Sequence, residues 1–233
     1  MVDLILGGLG EAVVRLLRFD PEVLDAASAS LAISGTATLV SVAFGLPLGI
    51  WLGLGRFRGR GLLLTLMNTG MGLPPVAVGL FVAVLVWRSG PLGGLDLYCT
   101  RPAMIAAQVL LAAPTVIGLT AVALQSIDPM LRLQLAALGA TSLQSAWIVA
   151  REARLLLLTA VMAGFGAVIS EIGASLMVGC NVRGDTRILT TAIALDTSKG
   201  EFGAAFALAF ILLGIIFALN AMTTWAQQRR RPA

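Results

Sequence analysis

The chain has 233 residues, 58% of them hydrophobic, a mean hydropathy of +0.94, and 16 basic against 12 acidic side chains. It has no histidine, which removes histidine general bases and histidine-bound zinc or haem; no catalytic group, metal ligand set or cofactor is expected. Its only lysine, Lys199, is followed by Gly200, so there is no Walker A phosphate loop, and its neighbour Ser198 makes no dyad because adjacent residues seldom face each other.

Residues 26–55, 61–87, 102–127 and 202–228 contain no Asp, Glu, Lys or Arg, and residues 155–182 contain only Glu171. Each run exceeds the ~20 residues a helix needs to cross the hydrocarbon core. A bilayer offers backbone groups no partner outside their own segment, so the runs must be helical. The fold class expected is therefore an all-α integral membrane protein with five transmembrane helices, at about 30–54, 64–87, 103–125, 158–178 and 204–226. Little chain is left for a separate soluble domain.

An odd number of crossings puts the termini on opposite faces. Arg56, Arg58, Arg60, Arg132, Arg151, Arg154 and Arg229–Arg231 share one side with Asp128 and Glu152; the other side has seven basic and nine acidic residues. The clusters hard against span ends, Arg56–Arg60 and Arg229–Arg231, orient the chain by the positive-inside rule with the N-terminus outside and the C-terminus cytoplasmic. This bias accounts for a pI near 10, and no nucleic-acid partner is expected.

In chain order, residues 1–27 form an external N-terminal segment. Residues 2–19 read as an interfacial helix, with Leu4, Ile5, Leu9, Val13, Leu16 and Leu17 largely on one face. The run Leu4–Leu9 is too short for the core of a signal peptide. The transmembrane region covers 28–226. Its first span is studded with Gly35, Gly45, Gly49 and Gly53, which suits close helix packing. The second is entered through Gly70, Gly72, Pro74 and Pro75, which cannot form an unbroken helix. Irregular backbone at membrane depth is tolerated where it is buried or lines a water-filled cavity, so Pro74 and Pro75 are candidates for a path or gate as well as for a simple kink.

Residues 133–150 are also uncharged, but Arg132 and Arg151 bracket them and Gln134, Thr141, Ser142, Gln144 and Ser145 interrupt them. They read as part of a cytoplasmic helix–turn–helix loop, 130–154, turning near Gly139, rather than as a sixth span. Glu171 falls about mid-span in the fourth helix, where a carboxylate costs a few kcal/mol and faces the interior or a cavity. It is a candidate for structural hydrogen bonding or for a gate. Residues 181–191 follow as a polar external connection, and 188–195 are too short to cross. Cys99 and Cys180 both lie in external connections; a disulfide is allowed there, but two free thiols are the expectation, because sequence does not constrain the geometry. Residues 227–233 form a cytoplasmic tail.

Several stretches resemble a known family. Gly139 within Ala136-Ala-Leu-Gly-Ala140, with Val149 beyond it, resembles the cytoplasmic EAA loop of ABC-importer permeases, although Leu133 stands at the glutamate position and Arg151-Glu152 replaces Leu-Pro. Gly72-Leu-Pro-Pro-Val-Ala-Val-Gly-Leu80 with Ser89-Gly-Pro-Leu-Gly93 is similar to the second-span region of molybdate, sulfate and tungstate permeases. Gly164-Phe-Gly166, Ser170-Glu-Ile-Gly-Ala174 and Met177-Val-Gly-Cys-Asn181 look like the fourth-span signature of that group, with Cys180 where a second glycine is expected. Thr186–Ile193 and Asp196–Gly200 are most similar to the tungstate branch.

The resemblance, which covers about residues 30–225, implies a type I ABC-importer transmembrane domain that works as a homodimer. It further implies two separate ATP-binding subunits and an external oxyanion-binding protein as partners, in a plasma membrane. On that reading the chain is no enzyme, and ATP is hydrolysed by the partner subunit. Ala136, Ala137, Gly139 and Ala140 would contact the ATPase. Asn181, Arg183 and Arg187 would either contact the binding protein or bind the anion directly. The competing reading is a stand-alone channel or secondary transporter using Glu171 and the broken start of span two.

Overall fold

The computed structural model describes residues 2–228; the arginine cluster Arg229–Arg231 and the end of the tail lie outside the described residues. Among the described residues there are eleven α-helices and no strand. They are α1 (Val2–Leu17), α2 (Pro21–Leu54), α3 (Arg60–Met71), α4 (Pro75–Val86), α5 (Arg101–Gln125), α6 (Pro129–Ala137), α7 (Ser142–Glu152), α8 (Arg154–Ile169), α9 (Gly173–Gly179), α10 (Leu189–Lys199) and α11 (Phe202–Gln228). A single 3-10 turn, Gly93–Leu95, precedes α5.

Three helices, α2, α5 and α11, are each long and apolar enough to cross a membrane, and they contain the expected spans 30–54, 103–125 and 204–226. Two bent pairs, α3 with α4 and α7 with α8, reach that length and hydropathy only together. α2 starts at Pro21, well ahead of the expected span. Asp20 accepts from the Glu22 N–H at 3.0 Å and Pro21 has no N–H to leave orphaned, so the chain carries its own start signal there.

The helices segregate into two compact units, one built from residues up to 37, 74–108 and 168 onward, the other from 38–73 and 109–167. Both are held by small residues. In the first unit α1 lies on α11 through Gly8, where a Cβ would come within 2.4 Å of Phe206 Cβ, and through buried Ala12. The face of α1 toward α11 is the small one, and Ile5, Leu9, Val13, Leu16 and Leu17 stay exposed. Large side chains would hold the backbones apart, whereas small ones let them touch.

In the second unit Gly45, Gly49 and Gly53 of α2 recur every fourth residue and meet Val116, Thr120 and Ala121 of α5; a Cβ on Gly49 would sit 2.5 Å from that of Thr120. The glycines of span one are thus packing residues. α6 and α7 close beneath this pair on an apolar cluster of Leu124, Leu135, Val149 and Ala153. Two arginines cap the carboxyl end of α2: Arg60 donates to Leu52 O at 2.7 Å and Arg132 to Leu54 O at 3.0 Å. These carbonyls have no helical partner, and cations are favoured at that end of the helix dipole.

The fourth span departs from expectation. A continuous helix over 158–178 with Glu171 in its middle does not form; α8 stops at Ile169 and α9 starts at Gly173. Residues 133–150 are likewise divided, with Gly139 at a φ of +77° between α6 and α7. That region of backbone space costs glycine nothing and other residues roughly 1–2 kcal/mol.

Candidate functional site

Pro74, Pro75 and Glu171, proposed from different spans, come together in the first unit. The chain breaks at Gly72–Pro74; Pro74 is extended and Pro75 opens α4, where its missing N–H is no loss. α4 packs on α9 with backbone contact: a Cβ on Gly79 would lie 2.6 Å from Ala174 Cα, and one on Gly173 would lie 2.5 Å from Val76 Cγ2. The start of α4 therefore abuts the start of α9, and Glu171 stands at that junction.

The Glu171 side chain is only 8% exposed, and its Oε1 accepts the Ala174 N–H at 3.0 Å. It thus satisfies an otherwise orphaned donor in the first turn of α9, where negative charge is also favoured by the helix dipole. Its backbone carbonyl accepts from Thr190 Oγ1 at 3.0 Å. The carboxylate that would strain a continuous span instead ends one helix and begins the next. Nearby on α9, Ser175 Oγ accepts from Gln108 Nε2 of α5 at 3.3 Å, a fully buried polar pair across two helices.

Beyond α9 the polar connection closes on itself. Thr191 Oγ1 donates to Asn181 Oδ1 at 2.9 Å, and Arg187 donates to Asn181 O at 3.4 Å. Arg183 pairs with Glu22 at the start of α2. Arg101, at the start of α5, binds Asp185 through its side chain at 2.8 Å and its carbonyl at 3.0 Å. Arg183 and Arg187 border a pocket of about 40 Å³ that also has Arg15, Glu22, Asp25 and Asp196 on its walls. Three carboxylates balance three guanidinium groups there. Arg183 and Arg187 each have an internal partner, while Arg187 Nε is buried without one.

Cys99 and Cys180 form a disulfide, with Cα atoms 5.1 Å apart. The expectation of two free thiols is corrected. The Cys99 N–H also donates to Val178 O at 3.0 Å, so the strand of chain before α5 is held against the end of α9 by backbone as well as sulfur. Cys180 and Asn181 both have positive φ, +58° and +54°, which explains why a glycine was expected at 180. Sequence leaves the pairing open, and the Arg101–Asp185 and Gln108–Ser175 contacts carry no sequence signal, being 84 and 67 residues apart.

In the second unit the helix–turn–helix has the expected form. Asp128 caps α6 by accepting from the Met130 N–H at 2.8 Å, and Thr141 and Gln144 form a reciprocal capping box at the start of α7. The turn between them exposes Ala136, Ala137 and Gly139, with Ala140 half-buried. Leu138 is 84% and Leu143 82% exposed beside them. A rigidly capped turn that presents leucines and small residues is suited to lie against another protein.

Known proteins place this arrangement. A family model described as "Binding-protein-dependent transport system inner membrane component" matches residues 45–232. A probable anion ABC transporter permease protein of Haloferax volcanii is 40% identical over 198 residues, covering 83% of this chain and 85% of the relative. The tungstate uptake system permease protein TupB of Peptoclostridium acidaminophilum is 38% identical over 221 residues, covering 95% and 97%. In fold, the chain superposes with a TM-score of 0.74 on a bacterial ABC transporter involved in import of the acidic polysaccharide alginate, at 18% identity over 95% of this chain and 84% of the other. The family match over most of the chain and the two near-complete relatives agree with the broken, small-residue helices seen here: the chain belongs to the binding-protein-dependent transport system inner membrane components.

Proposed function

We propose that this chain is the membrane-spanning permease subunit of an ATP-driven importer of tungstate. The carrying observation is the 38% identity to a tungstate uptake permease over 95% of this chain and 97% of the relative. The chain works as a homodimer with two ATP-binding subunits, which supply the hydrolysis, and an external oxyanion-binding protein, which supplies the selection.

Five crossings are proposed: α2, α3 with α4, α5, α8 with α9, and α11, with the N-terminus outside. The Cys99–Cys180 disulfide supports that orientation, since disulfides persist in oxidising compartments and both cysteines then lie outside. The α6–α7 turn, with Ala136, Ala137, Gly139 and Ala140, is the ATPase contact. Pro74, Pro75 and Glu171 form the break in the helices beside the path, with Glu171 as the cap that holds α9 in place. Asn181, Arg183 and Arg187 shape the external surface that meets the binding protein.

The experiment is ATPase stimulation in the reconstituted complex. Binding protein loaded with tungstate is expected to stimulate hydrolysis, and the unloaded protein much less. Stimulation that is independent of the permease, or that requires sulfate and ignores tungstate, would refute the proposal.

A further inference from the structure

The second unit has a groove of about 860 Å³ between the carboxyl end of α2 and helices α6 and α7. Its walls are apolar along Pro47, Trp51 and Leu54 and again at Leu143, and they carry two guanidinium groups, Arg56 and Arg132. Among the described residues lining it, none is acidic. Pro47 lies seven residues inside Leu54, the last residue of α2, so at 1.5 Å per residue the groove runs about 10 Å along the helix from its end.

That length separates the possible occupants. A soluble subunit docking on the α6–α7 turn would meet the groove's wall at Ala136 and Ala140, which also line it, and stop short of Pro47 at the far end. An acyl chain continues inward along α2. Trp51 is half exposed and stacked on Phe57 with ring centroids 4.3 Å apart, a placement typical of the headgroup level. Arg132 gives one donor to Leu54 O, which fixes the guanidinium at the mouth of the groove. Arg56 is exposed beside it.

We propose that this groove seats one anionic phospholipid, with its phosphate on Arg56 and Arg132 and an acyl chain against Pro47, Trp51 and Leu54. Arginines match phosphate oxygens in number and geometry, and each basic residue at a charged membrane surface is worth roughly a fivefold preference. The site requires only that α2 crosses the bilayer; it is independent of the transported substrate.

The test uses the full-length chain with Trp87, Trp147 and Trp225 replaced by Phe, leaving Trp51 as the only tryptophan. It is placed in nanodiscs of phosphatidylcholine containing either brominated-chain phosphatidylglycerol or brominated-chain phosphatidylcholine. The anionic lipid is expected to quench Trp51 at a mole fraction at least about fivefold lower than the zwitterionic one. R56Q should reduce that preference about fivefold while leaving phosphatidylcholine quenching unchanged, and R56K should largely restore it. Because Arg132 also caps α2, its variant is paired with a helicity measurement by circular dichroism. Equal quenching by the two lipids, or a preference unaffected by R56Q, would overturn the proposal. So would absence of quenching by either lipid, which would mean that protein, a second copy or an ATPase loop, covers the groove.

Discussion

Glu171 and the two cysteines are the side chains whose roles the structure most changes. The carboxylate is engaged with the Ala174 N–H, so its replacement tests a cap before it tests a gate. Glu171→Gln keeps an acceptor of the same reach, and transport and assembly are expected to survive with a loss of about 1 kcal/mol or less. Glu171→Leu leaves a buried donor without its acceptor, at about 1–3 kcal/mol, and should reduce the amount of assembled protein recovered from membranes. A Gln variant that assembles normally yet leaks or stalls would instead make the charge part of the gate. For the cysteines, denatured but unreduced protein should take up no maleimide. Cys99→Ser should cost about 2–4 kcal/mol, measured as a lowered Tm. In that background Cys180→Gly should recover about 1 kcal/mol, because position 180 holds a left-handed backbone. Sequence alone exposed Glu171 as anomalous, since any carboxylate in an apolar run is. It could not say what the group binds, because the partner amide becomes available only once the helix breaks there.

Helix breaks were readable where glycine and proline cause them. Gly72 and Pro74-Pro75 divide α3 from α4, and Gly139 divides α6 from α7, because each removes a hydrogen bond or favours a backbone that helices do not use. The break between α8 and α9 carries no proline, and the Glu171 carboxylate that caps the start of α9 leaves no mark in a hydropathy profile. The contact of α1 with α11 leaves no mark in hydropathy either, because it runs through Gly8 and not through a large apolar residue of α1. Close approach is also what holds α4 to α9. Gly79→Val would drive a side chain into the Ala174 backbone, and a loss of about 1–3 kcal/mol is expected, read as reduced thermal stability in detergent. At the α6–α7 turn, Gly139→Ala adds only backbone strain of about 1–2 kcal/mol, whereas Gly139→Trp adds bulk on the exposed surface as well. ATP-driven uptake should therefore fall partly in the first and almost wholly in the second, with nucleotide binding by the ATPase subunit unchanged. Equal, near-normal uptake by both would remove the turn from the coupling contact.

Across the whole molecule, charge distribution and run length suffice to identify a helical membrane protein, and motif resemblance identifies its family. Five crossings count α3 with α4 as one bent span and α8 with α9 as another, whereas the second bent pair that reaches span length and hydropathy together is α7 with α8. In a chain lacking Cys99 and Cys180, single cysteines at positions 93 and 183 should react with a membrane-impermeant reagent in intact cells, and a cysteine at position 140 should not. External labelling at 140 would overturn the five-span arrangement. The central claim, ATP-driven tungstate import, is tested most directly by uptake into vesicles. The permease, its ATPase and its binding protein are reconstituted with ATP on the ATPase side, and accumulated tungstate is measured against equimolar molybdate and sulfate. Tungstate should accumulate only with ATP, and excess sulfate should compete poorly. Uptake that persists without ATP, or that favours sulfate while excluding tungstate, would contradict the account.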